Sequence, residues 1–208
     1  MTAVDRRRGR TGFLGFIFGR QSDYVRRLTP MFLICLAGFC FSLWAGFQLG
    51  DSVSMAVLEE VMGSLPNLEN FDLTMIFLFI IFNNVFKSFI WMVLGALGGF
   101  PPLFFAVLNG FFLGSFSYST SIDYSLAFTA AALIPHGIIE IPTILLSSAA
   151  GMALGYALIN RLRGRGSLRA EFGRATRLFV SKIVPLLIIS AVIEVTLTPM
   201  IVVFLGLA

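Results

Sequence analysis

The placement of charge constrains this 208-residue chain more than any other feature. Of its fifteen lysines and arginines, seven fall between Arg6 and Arg27 and seven between Arg161 and Lys182. Lys87 stands by itself elsewhere. The acids Asp51, Glu59, Glu60, Glu69, Asp72 and Asp123 occupy connections that carry no base. Between these segments run apolar stretches of about twenty residues, the length that crosses ~30 Å of hydrocarbon at ~1.5 Å per residue. With 57% apolar residues, 12% charged and a mean hydropathy of +0.90, the composition is that of a polytopic membrane protein. The positive-inside rule then puts both basic segments in the cytoplasm and the acidic connections outside.

These observations predict an all-α, polytopic transmembrane helix bundle. A basic cytoplasmic segment, residues 1–30, precedes a single membrane domain, residues 31–208. Within the basic segment, residues 12–19 are apolar and Arg20 closes them with no small-residue cleavage site beyond, as expected of an interfacial anchor. The first span, 31–49, opens at Pro30. In the connection 51–72, Leu58, Val61, Met62 and Leu65 form an amphipathic surface helix ended by Pro66. A second span, 73–97, ends in Gly98-Gly99, and Pro101-Pro102 starts a third. Arg161 shares a side with Arg27, so an even number of crossings separates them, and residues 124–160 must supply one. At over ~50 Å of helix they are long for one span. The economical solution is a broken or re-entrant segment around 125–142, with a new helix beginning at Pro135. Residues 160–178 form a basic amphipathic linker on the cytoplasmic surface, and a last span, 179–207, leaves the C-terminus outside. The total is five net crossings.

Seven polar side chains fall within the spans: Asn83, Asn84, Lys87, Asn109, His136, Glu140 and Glu194. Ionisable groups at membrane depth are expensive and mark function or tight pairing. His136 and Glu140 are four apart, hence on one helix face. Counted along straight helices, Glu194 lies ~18 Å above Lys182 and Glu140 ~30 Å above Arg161. This depth count pairs Lys87 with Glu194 and leaves His136 and Glu140 as a separate outer site. Metal chemistry finds little support: His136-x-x-x-Glu140 gives two ligands, a third must come from Glu194 or a connection acid, and no second histidine exists. Cys35 and Cys40 are expected to be buried small hydrophobes, and no metal or cofactor is expected. Gly95 with Gly99, Gly110 with Gly114, and Ser147, Gly151 and Gly155 have the spacing that lets helix backbones approach, within the chain or in a homodimer.

Phe82-Asn83-Asn84, the glycine turn before Pro101, Asn109-Gly110 with Gly114, Pro135-His136-Gly137 with Glu140, and Gly151 together resemble the stage II sporulation protein M family, and Pro142 follows two residues after Glu140. Pro-His-Gly-x-x-Glu is the specific element of the resemblance. It implies a multi-span protein of the bacterial or archaeal envelope, which in sporulating bacteria is the membrane platform for two wall-degrading partners. The expected function is therefore a non-enzymatic scaffold in the cytoplasmic membrane for envelope-remodelling proteins. An alternative is a transporter or channel with a path along His136, Glu140, Lys87 and Glu194, and a third reading is a metal-dependent intramembrane hydrolase. Expected partners are the bilayer, anionic lipid headgroups at the basic segments, envelope proteins and a second copy of the chain, and not nucleic acid.

Overall fold

The structure is a computed structural model that describes residues 22–51 and 72–207. The expected interfacial anchor at 12–19 and surface helix near 58–66 lie outside these residues. The described residues form α1 (Ser22–Gln48), α2 (Leu73–Leu94), α3 (Phe100–Asp123), α4 (Leu126–Leu162) and a composite rod. That rod comprises α5 (Leu168–Leu178), a π-helical turn (Phe179–Ile183), α6 (Val184–Val195) and α7 (Leu197–Phe204). Each of the five rods is long and apolar enough to cross a membrane.

Local chemistry sets the ends. Asp72 caps α2 by accepting from the Met75 N–H at 2.7 Å, and Ser125 caps α4 from the Phe128 N–H at 3.1 Å. Between α2 and α3 the chain reverses through Gly98 and Gly99 at φ +94° and +84°, angles that a side chain would resist. Pro101 and Pro102 then occupy the first turn of α3, where no backbone donor is missed.

Close approaches give the directions. Gly110 and Gly114 of α3 meet the Phe39 and Leu43 carbonyls of α1, and Tyr118 meets Gly50, so α1 and α3 run parallel. Ser147 meets Ser88 and Gly151 meets Met92, so α2 and α4 also run parallel, and beyond α2 the turn continues along α4 with Gly95 against Gly151 and Gly99 against Gly155. Five rods of alternating direction result, with Arg27, Arg161 and Arg174 at one end and Asp51, Asp72 and Asp123 at the other. The small-residue spacings are thus used within the chain.

Two expected helix starts are corrected. α1 begins at Ser22 and runs through Pro30, and α4 is one continuous helix of 37 residues through Pro135 and Pro142. No break or re-entrant piece occupies 125–142. A proline costs one intrahelical bond and is usually read as a boundary in water-soluble helices. In a membrane the alternative, an irregular backbone facing lipid, costs more, so the helix continues. At ~55 Å, α4 exceeds the ~30 Å hydrocarbon thickness and projects beyond it.

Within the stretch expected as a basic amphipathic linker, 160–178, a short turn with Gly164 and Gly166 at φ of +73° and +72° leads into α5, a basic helix that buries Ala175 and Leu178. From Leu168 the helix continues into the last span. Glu171 of α5, buried, accepts from Arg174 at 3.0 Å and faces Arg27 of α1 at 4.0 Å, tying the two rods at the basic end. The core joins Met92, Ala149, Ala150, Leu154, Leu178, Ile183 and Leu187, and a smaller cluster gathers Cys35, Phe39, Ala106 and Leu145. Cys35 is buried against Met152, its Sγ 3.4 Å from Sδ, whereas Cys40, expected inside, is exposed on the outer face.

Candidate functional site

α4 carries His136 and Glu140 one turn apart, and α6 carries Glu194 just before the helix breaks at Thr196. The ligand-capable atoms of His136, Glu140 and Glu194 all lie within 4.8 Å of one another. Asn84 of α2 donates its Nδ2 to Glu140 Oε1 at 3.0 Å, and Thr198 Oγ1, buried, lies 3.5 Å from His136 Nδ1. Three helical rods therefore converge on one half-buried polar cluster. It lies ~18 Å along α2 from Asp72 and ~22 Å along α4 from Ser125. Around it Phe82, Ile138 and Met200 point outward at 65%, 68% and 68% exposure, a lipid-facing girdle that places the cluster at apolar depth.

The expected pairing of Lys87 with Glu194 is not formed. Lys87 is exposed, on the outer face with Phe86 and Ile90, and makes no ion pair with Glu194. Glu194 instead joins the site from which the depth count had separated it. That count took Lys182 and Arg161 as markers of one plane. α5 carries the last rod ~20 Å past Lys182 toward the basic end, so the two residues sit at different depths.

The remaining sequence-predicted residues divide. Asn83 lies beside the cluster, its Nδ2 3.5 Å from Asn84 Oδ1. Asn109 bonds within its own helix, to the Phe105 carbonyl at 2.7 Å, but shares a cavity of about 560 Å³ with His136 and Glu140. Ser117, Thr129 and otherwise mostly apolar side chains line the rest of that cavity, and Glu194 does not border it. Gly95, Gly99, Gly110, Gly114, Gly151 and Gly155 are contacts between backbones, whereas an added Cβ at Gly137 would meet only Ile141 Cδ1 at 3.5 Å.

Sequence reasoning missed Thr198, although Glu194-x-x-x-Thr198 has one-face spacing. It also missed Gly46 and Gly50, which meet Phe111 and Tyr118 of α3 and sit four apart like the glycines it did find. Glu171 gave a weaker signal, since one acid among arginines reads as a solvated face.

A family model for stage II sporulation protein M matches residues 28–199. The chain belongs to the stage II sporulation protein M family. No curated protein and no solved structure matches it. The stage II sporulation protein M match takes in the whole cluster and every glycine contact between α2 and α4.

Proposed function

We propose that this member of the stage II sporulation protein M family works without catalysis, as a membrane scaffold for envelope-remodelling proteins. What supports the reading is a closed apolar layer. Met92, Ala149, Ala150, Leu154, Ile183 and Leu187, all 0% exposed, lie between the polar cluster and the basic end. A conducting path would have to part them. Between the rods, Ser147 bonds to the Ser88 carbonyl at 3.0 Å and Ser115 to that of Gly46 at 3.2 Å, whereas the buried hydroxyls of Ser88 and Ser148 have no partner. On this reading the bundle offers its charged ends to partners in the cytoplasm and outside. The cavity beside His136 and Glu140 favours a second reading, passage of a proton or small solute.

Full-length protein in liposomes loaded with a pH-sensitive dye separates the two. The scaffold reading predicts no flux above that of protein-free vesicles under a pH gradient or a membrane potential. Flux that Glu140→Gln abolishes would overturn it in favour of transport. A photo-crosslinking amino acid at Asp123 or at Tyr124, exposed at the acidic end, is expected to capture the same envelope protein from both positions. The lipid-facing position Phe86 should not capture it.

A further inference from the structure

We propose that His136, Glu140 and Glu194 bind a first-row divalent transition cation, joining α4 to the last rod. Donor geometry is the first reason. Zinc-like ions hold imidazole nitrogen and carboxylate oxygen at ~2.1 Å, so tetrahedral ligands stand about 3.4 Å apart. The ligand atoms of the three side chains already lie within 4.8 Å of one another, a difference of about 1.4 Å that is within the reach of flexible glutamate side chains.

Charge is the second. Two carboxylates stand together at apolar depth, and Lys87, the only lysine or arginine between Arg27 and Arg161, turns outward. A dication would bring the net charge of the site to zero, where unpaired carboxylates are costly.

The surroundings are the third. Metal ligands are commonly oriented by hydrogen bonds to their remaining atoms. Asn84 holds Glu140 Oε1 and leaves Oε2 for the ion, and Thr198 stands at His136 Nδ1 and leaves Nε2. The cavity reaching His136 and Glu140 supplies an approach and room for a water ligand.

The donor set chooses the ion. Calcium and magnesium take oxygen ligands throughout, and soft ions such as Cu(I) prefer sulfur. One imidazole with two carboxylates suits Zn²⁺, Mn²⁺, Fe²⁺ or Co²⁺. The site is independent of whether the protein is a scaffold or a transporter.

The test is a titration of tag-free, full-length protein in detergent, stripped with chelator and then given ZnCl₂, CoCl₂ or CaCl₂. One zinc per chain should bind with a Kd of micromolar or lower, Co²⁺ should show a visible d–d spectrum, and Ca²⁺ should show no saturable binding. His136→Ala and the isosteric Glu194→Gln should each weaken zinc at least tenfold. Zinc should also raise the Tm of the wild-type protein but not of Glu194→Gln, which keeps the test readable if the alanine variant aggregates. Absence of saturable zinc uptake by the wild type would overturn the proposal. So would zinc binding and a Co²⁺ spectrum unchanged in Glu194→Gln.

Discussion

Replacing Gly155 with leucine is expected to abolish recovery of folded protein. A Cβ at this position would overlap the backbone nitrogen and Cα of Gly99 and the carbonyl carbon of Gly98. Backbone atoms cannot rotate away as a side-chain tip can, so α4 would have to part from the α2–α3 turn, and from the end of α2 with it, along the contacts between Gly95, Gly99, Gly151 and Gly155. Overpacking of side chains alone costs ~1–3 kcal/mol. Separating two helices whose association in lipid rests on close packing should cost more than that upper value. Gly137→Ala is the matched control: its methyl would meet Ile141 Cδ1 at an ordinary 3.5 Å. Removing a helical glycine should leave the Tm unchanged or slightly raised. Detergent size-exclusion profiles and thermal unfolding of the two variants check both outcomes. Equal behaviour of the two would show that the α2–α4 contact is not as described.

Leu154→Ala should lower stability by ~2–3 kcal/mol while leaving the fold recoverable. Leu154 is fully buried in the cluster shared by α4, α2 and the last rod. In water-soluble proteins such truncations cost ~2–5 kcal/mol, part from transfer of apolar surface and part from the cavity left behind. Within a membrane the transfer part falls away, because lipid is as apolar as the core, and lost packing remains. The lower half of the range is therefore expected. Truncation of lipid-facing Ile138, 68% exposed, should change stability by less than ~0.5 kcal/mol. Reversible unfolding in mixed micelles measures both.

The crossings were legible because they rest on the two strongest signals in the chain, apolar length and the segregation of arginine from acid. Pro101-Pro102 and Gly98-Gly99 also meant what they say locally, since a turn lies there. Pro30 and Pro135 carry the same local chemistry and were misleading, because lipid penalises an interrupted helix more than a missing hydrogen bond. The cluster was half legible. His136 and Glu140 share a face by spacing alone, and their depth in α4 follows from sequence. That Glu194 and not Lys87 completes the group depends on how far α5 prolongs the last rod, and no residue count along separate helices reveals that offset. Asn84 reached Glu140 for the same reason: the parallel alignment of α2 and α4 is set by glycine contacts that pair two distant segments.

The convergence of α4 and α6 on one site is tested most directly by a short crosslink. With Cys35 and Cys40 replaced by alanine, His136→Cys and Glu194→Cys are combined and a protease site is placed in the turn at 163–167. A bifunctional thiol reagent of about 5 Å reach is then applied in the membrane. The two fragments should remain joined after cleavage, and the pair Lys87→Cys with Glu194→Cys, with a protease site between Asp123 and Ser125, should separate. Separation of the first pair with joining of the second would contradict the site and restore the Lys87–Glu194 pairing.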